Sequence, residues 1–310
     1  MKITFEDISP VAKQAADDLV KLVESTGEIR FRNRRDVSFS RQERYSLDIF
    51  LKSQALLQRV STTEEALRYI QRVPSFTECA ERDITQRGWF EYHYSHYVIA
   101  VVSLYDIALI LVNAVLQLGN PDRLCRSNII KSNQWVRDTD IGAALVRLER
   151  SIQPYKEHRN LQVHRGDSPN LIEVTQSENL DLANLVSFAQ SSSDTPLVEE
   201  KFLDLVYSHE AGQLSNELQS QFGEVGAALS VLLDHLLPIY KKGVAMSKST
   251  PNTGKRWNKS DIAKLKQFVR ENTPTPVIGL KLGRTEAAIR AKASRLNISL
   301  KPTNRPPYNR

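Results

Sequence analysis

Cysteine is nearly absent. Cys79 and Cys125 are the two thiols in 310 residues. With no repeated spacing they cannot supply a cysteine-ligated zinc site, and so sparse a usage fits a reducing compartment. Glycine and β-branched runs are also sparse, which removes the patterns expected of a β-rich chain. The chain shows no glycine-rich phosphate loop, no Ser/His/Asp hydrolase pattern and no internal repeat. Its opening, Met1-Lys2-Ile3-Thr4-Phe5-Glu6-Asp7, turns acidic at once, unlike a secretory signal, so a cytoplasmic protein is expected. What remains is a series of long amphipathic stretches. They predict an all-α fold, and the length suggests two domains with room for a substantial core.

The net charge of +6 is unevenly spread. Residues 241–310 hold 17 Lys and Arg against 3 Asp and Glu, a net of +14, which leaves 25 against 33, a net of −8, for residues 1–240. The basic character therefore belongs to the C-terminal end. Such asymmetry points to a polyanionic partner there.

Taken in order, residues 6–25 read as a first helix. Arg30-Phe31-Arg32-Asn33-Arg34-Arg35 follows, either a solvated loop or a grip for single-stranded RNA. Helices are expected over 41–60 and 62–73, with Thr62 or Thr63 capping the second. Trp89–Leu118 is the longest candidate. Asp106, Asn113 and Gln117 argue against a membrane span, since an acid at mid-span costs about 2.5–3.5 kcal/mol, so a buried central helix is predicted. On a helical wheel Tyr92, His96, Ser103, Asp106, Asn113 and Gln117 fall within about 100° of one another. A polar stripe of this kind faces water, a partner or a site. His93 and His96 have a spacing that metals use, but no third ligand stands nearby, and no metal site is expected. After a loop over 167–179, helices are expected at 180–190, 197–209 and 213–239, with a polar turn at 191–194.

The densest chemistry follows an apolar series spaced three and four apart: Ile141, Ala144, Leu145, Leu148 and Ile152. Beyond it lies Arg159-Asn160-Leu161-Gln162-Val163-His164-Arg165-Gly166, which sets cation, amide, imidazole and cation close together ahead of a glycine stop. An Arg, a polar residue, three variable residues and a His resemble the signature of HEPN domains, all-helical modules many of which are metal-independent ribonucleases. The chemistry suits those residues. Metal-free RNA cleavage uses the ribose 2′-hydroxyl as nucleophile, and histidine can move that proton near neutrality. A guanidinium holds the phosphate and offsets the charge that builds on it. The resemblance thus implies His164 as acid/base, Arg159 as phosphate clamp and Asn160 as orienting group. Asp106 or His96 from the polar stripe would support them. A five-residue offset turns Arg159 and His164 about 140° apart on a helix, so one copy is not a compact site unless the helix breaks. HEPN relatives pair two motifs across a two-fold dimer. The same residues also suit a plain helix end, where cations complement the dipole.

The stretch 241–254 reads as a flexible linker. Trp257 then opens a three-helix pattern: Ile262, Leu265, Phe268 and Val269; then Val277, Ile278 and Leu280; then a turn at Gly283 and a third helix capped by Thr285 and running to Leu296. Trp257, Leu282-Gly283-Arg284-Thr285, Ala287–Ala293 and Ile298-Ser299-Leu300-Lys301-Pro302 resemble bacterial Myb/SANT-like helix-turn-helix modules over about 255–302. The resemblance implies a DNA reader built on the third helix, with Arg284, Thr285, Arg290, Lys292, Ser294, Arg295 and Lys301 at the interface. Protein docking is the other use of such modules.

The expectations are these. Residues 1–240 form a HEPN-like helical bundle with its core at about 76–240, 241–254 a linker, and 255–310 a helix-turn-helix with a basic tail. The chain is a homodimeric endoribonuclease that needs no cofactor or metal and has no membrane partner. It cuts RNA, binds duplex DNA, and serves as a toxin or defence effector, with an antitoxin as possible partner. The alternative is a non-catalytic DNA-binding regulator that uses the helical domain for dimerisation or sensing.

Overall fold

A computed structural model describes residues 10–26, 41–165, 178–191, 199–247, 252, 255–271, 273 and 275–300. Among these the chain is all-α, with no strand. The helices are α1 (Pro10–Thr26), α2 (Arg41–Gln71), α3 (Phe76–Glu81), α4 (Gln86–Val115), α5 (Ser127–Lys131), α6 (Asp140–Ser151), α7 (Gln153–Arg165), α8 (Glu178–Ser191), α9 (Glu200–Ser247), α10 (Lys259–Arg270), α11 (Thr275–Lys281) and α12 (Glu286–Arg295). The arginine-rich stretch 30–35 and the expected loop 167–179, apart from Glu178 and Asn179 in α8, lie outside the described residues.

Two expected helix breaks do not occur. α2 runs unbroken past Thr62 and Thr63, whose hydroxyls turn back to donate to the carbonyls of Gln58 and Arg59 at 2.9 and 2.8 Å. A threonine that bonds four residues back is housed inside a helix instead of starting one. α9 likewise absorbs two expected helices into one of 48 residues. Its buried Leu203, Tyr207, Ala211, Leu214, Leu218, Phe222 and Val225 recur every three or four residues without a lapse. That continuous seam outweighs the lack of helix preference at Gly212.

The chain divides into two compact units. The first holds Ala55–Ile107 and Ala143–Val231. Phe90, Tyr94, Tyr97 and Leu104 of α4 are buried there, as are Leu145 and Leu148 of α6 and Tyr155 of α7. The apolar series of α6 is the helix face anticipated from its spacing. α3 starts at a capping box in which Ser75 and Glu78 satisfy each other's backbone N–H groups. Asp204 of α9 accepts from the Phe76 N–H at 2.8 Å and from the Gln86 amide at 2.8 Å, so two helix starts share one carboxylate.

The second unit holds Ser9–Gln54, Ala108–Gly142 and Leu232–Arg310. Tyr45 stacks on Tyr240 at 5.6 Å and donates to the Val115 carbonyl at 2.9 Å. The Tyr240 hydroxyl sits between Ser46 at 3.0 Å and the Asp18 carboxylate at 3.1 Å. Gly243 passes so close that a Cβ there would meet the Tyr45 hydroxyl at 2.7 Å. This packing explains why α9 continues to Ser247: Val244 is buried, and the first half of the expected 241–254 linker is helical.

The three C-terminal helices carry a core of their own. Leu265, Ile278, Leu282 and Ile289 are buried, with Trp257, Phe268, Val269, Leu296 and Leu300 against them. Asn258 caps α10 by accepting from the Asp261 N–H, and Thr285 caps α12 by accepting from the Ala288 N–H. Gly283 turns the chain at φ 58, a conformation that costs glycine little. In the same unit Lys281 of α11 lies 3.0 Å from the ring centroid of Trp135, and burial pushes its ammonium below its ordinary pKa.

Two helices, α4 and α9, have the length and composition to cross a membrane. The apolar window of α4 is mostly buried within the protein, as a central core helix requires.

Candidate functional site

α7 is held through one face. Ile152 and Tyr155 are buried. The Tyr155 hydroxyl donates to Gln221 of α9 and receives one from Tyr97 of α4 at 3.3 Å. Burial pushes the Tyr155 phenol up to about 12, and its neighbour Tyr97 is raised further by the same cause. One turn on, His158 Nδ1 and the Tyr94 hydroxyl lie 2.9 Å apart. Burial raises the Tyr94 phenol as well, so it stays protonated and available as donor. These bonds to α4 and α9 fix the rotation of α7, and with it the direction in which the next residues point.

Arg159 is half-buried, next to His158. Its Nε is buried and has no hydrogen-bond partner among the described residues. Asp106 on α4 lies within electrostatic reach of Arg159 and of Lys156. Although the Asp106 side chain is exposed on one side, the protein displaces enough water to raise its carboxyl pKa, and the two cations partly oppose this. Lys156 is bonded to Glu149 at 2.9 Å and stands 5.3 Å from the Tyr105 ring centroid. Asn160 is exposed. His164 lies on the last turn of α7, but its side chain, like that of Arg165, is outside the described residues. The helix does not break between Gln153 and Arg165, so the backbone carries Arg159 and His164 about 140° apart. A single copy does not bring the two together.

The polar stripe of α4 divides. Tyr92, His96 and Asp106 are exposed and Ser103 is half-exposed. Asn113 is buried instead, donating to the Asn120 carbonyl at 2.9 Å and accepting from the Asn120 N–H at 3.2 Å. Gln117 lies beyond the helix end with φ 51. A wheel cannot foresee this, because it assumes that the helix continues and that no loop folds back onto it. Among the described residues, Asp106 is the stripe carboxylate whose charge reaches Arg159. His96 stands near His93.

At the C-terminal end, one expected interface residue is misplaced. Arg284 is 3% exposed. Its guanidinium donates to the carbonyls of Asn252 and Lys255, both at 2.8 Å, and of Arg256 at 3.2 Å, and pairs with Asp261 at 2.9 Å. It lies 4.4 Å from the Trp257 ring centroid. A guanidinium spent inside the protein has little left for a phosphate, so Arg284 is a structural residue. Thr285 is exposed but occupied as the α12 cap. Lys292 leans back toward Trp257 at 5.8 Å. Arg290, Ser294 and Arg295 are exposed along α12, with Arg290 paired to Glu286 four residues earlier. Lys301 lies outside the described residues.

His158 and Tyr94 escaped the sequence reading, although a signal was present. Tyr94 and Tyr97 repeat the three-residue spacing of Tyr155 and His158, the mark of two helices meeting along one turn of each.

A family model for Cthe2314-like HEPN domains matches residues 47–208, just over half of the chain. The protein belongs to this HEPN family, and the match includes the tyrosine-clamped α7 with its Arg159–His164 motif. No curated protein and no solved structure matches the chain.

Proposed function

We propose that this protein is a metal-independent endoribonuclease of the HEPN type. In this reading two copies meet across a two-fold axis, so that Arg159 of each approaches His164 of the other. The observation that carries it is the state of Arg159: its buried Nε has no partner among the described residues, one carboxylate is in reach, and its helix is anchored by two hydrogen-bonded side chains, Tyr155 and His158. A buried donor without a partner is costly, and an incoming phosphate would relieve it. Asp106 would keep the guanidinium aimed. In this reading the protein would act in the cytoplasm as a toxin or defence effector, with an antitoxin as a candidate partner.

The test is cleavage of single-stranded RNA by the purified protein with and without EDTA. Cleavage should continue in EDTA and leave 2′,3′-cyclic phosphate ends, because the 2′-hydroxyl attacks internally. Loss in EDTA that a divalent ion restores would rule the mechanism out.

The C-terminal helices would bind duplex DNA through the exposed face of α12. Arg290 leaves Glu286 at little cost, since an exposed pair is worth about 0–1 kcal/mol. Arg290→Ala in the whole chain should lose about 1–3 kcal/mol of discrimination between sequences, whereas a phosphate contact would weaken all sequences alike. Fluorescence anisotropy on matched and mismatched duplexes separates the two. If the intact chain binds no duplex at low salt, the module docks protein instead.

One observation favours a second reading. On the unbroken α7 a single copy holds no compact catalytic pair, which suits a non-catalytic regulator that uses the helical domain to position the tail on DNA. Duplex DNA binding by an intact protein that cuts no RNA would favour it.

A further inference from the structure

A cluster of rings lies on the outer side of the first unit, where the C-terminal end of α2 meets the start of α4. His93 stacks on Tyr69 at 4.7 Å with ring planes 17° apart, and Trp89 closes on His93 at 4.4 Å. Tyr92 sets its edge against His93 at 5.2 Å. The Trp89 indole is locked, donating to the Tyr69 carbonyl at 3.0 Å. The outermost rings are open: Tyr69 is 49% exposed and Tyr92 68%. Burial and the nearby His96 lower the His93 pKa, so this imidazole is a flat neutral spacer at pH 7. Arg68 on α2 and Arg72 just past its end lie near Tyr69, both exposed, and neither forms an ion pair among the described residues. The acid closest in sequence to Tyr92, Glu91, is already neutralised by Arg87 at 2.8 Å.

We propose that Tyr69, Tyr92 and the Trp89–His93 stack behind them form a base-stacking platform for single-stranded RNA. Rigid, exposed ring faces beside unpaired guanidinium groups are what a flexible strand needs, because stacking is indifferent to sequence and cations hold the backbone. A folded protein partner would more often meet an apolar core of aliphatic side chains inside a polar rim. Tyr92 and Asp106 share the exposed stripe of α4, and fourteen residues of helix span about 21 Å. The platform would therefore hold the strand at a distance from the Arg159–His164 motif and lead it there. This role rests on the ribonuclease reading, but binding can be measured apart from cleavage.

The probe is a twelve-residue oligoadenylate carrying an internal 2-aminopurine, which loses fluorescence when it stacks. The intact protein and its His164→Ala variant should bind it alike and quench it. The double variant Tyr69→Ala/Tyr92→Ala should bind ten- to a hundredfold more weakly, the effect of one or two lost stacking partners, and quench little. Tyr69→Phe/Tyr92→Phe should restore both. In the cleavage assay the alanine pair should raise KM and leave kcat nearly unchanged. Should Tyr69→Ala disturb the α2 end, Tyr92→Ala alone serves, since its ring touches only the edge of the stack; it should weaken binding about tenfold. Unchanged affinity in the alanine variants would overturn the platform even if the protein cuts RNA. Lost affinity in a protein that cuts nothing would uphold the platform and sink the ribonuclease instead.

Discussion

His164→Ala should lower RNA cleavage by about 10²–10⁴-fold, the usual contribution of a positioned acid or base, while the helical content stays the same. Among the described residues, α7 is anchored by Ile152, Tyr155 and His158, two to three turns before His164. Arg159→Ala should cost about 10²–10³-fold, comparable with removal of one preorganised charge-stabilising donor. Mixing the two inactive variants gives a sharper result. If each site takes Arg159 from one protomer and His164 from the other, half of the heterodimers' sites keep both residues, and activity returns. If each site is built within one protomer, the mixture stays inactive. Circular dichroism and single-turnover cleavage on the three samples settle the matter. A His164→Ala protein that unfolds would mean that the imidazole serves the helix end. Asp106→Ala should reduce cleavage more mildly, because it touches the phosphate only through Arg159; undiminished cleavage in a folded variant removes it from the site.

Arg284→Ala should unfold the C-terminal helices inside an otherwise folded chain. The substitution strands three carbonyls and the Asp261 carboxylate at once, and removing one partner of a buried pair costs about 3–5 kcal/mol. A core of four buried side chains with five partly buried ones against it is small, and such modules are marginal to begin with. Arg284→Lys should fail nearly as badly, since an ammonium cannot span the same fan of acceptors. Amide hydrogen exchange reads the result: protection over 259–295 should collapse while that of 90–112 in α4 persists. The opposite outcome is equally specific. If protection remains and DNA affinity falls with its salt slope reduced by about one, then Arg284 contacts a phosphate, as its sequence context suggests.

The difference between those outcomes shows where the sequence stops speaking. An arginine inside a net-basic tail, within a helix-turn-helix pattern, invites a phosphate by charge alone. Whether water or protein surrounds that charge depends on Trp257 and Asp261, which lie 27 and 23 residues away along the chain and come together only in the fold. Asn113 is a parallel case. Its place on the wheel is correct, yet the returning loop at Asn120 takes it out of solvent. Thr62 and Thr63 carry the right side chain for a cap, but their hydroxyls bond backward because α2 has core on both sides of them, at Val60 and Ala66.

The sequence by itself determined the all-α class, the buried face of α6, the core of the three C-terminal helices, the Thr285 cap and the concentration of positive charge in the tail. These follow from local periodicity, capping chemistry and composition, which a linear reading captures. It also sufficed for the HEPN family, whose model matches residues 47–208. Tertiary structure alone decided which groups face one another: Tyr94 with His158, Asp106 with Arg159, Tyr69 with His93, and Arg284 with its four acceptors. Each pair except the last joins different helices, and each depends on how far those helices are rotated about their axes. That rotation is set by side chains packing across the core, a cooperative property of many residues that no single stretch of chain encodes.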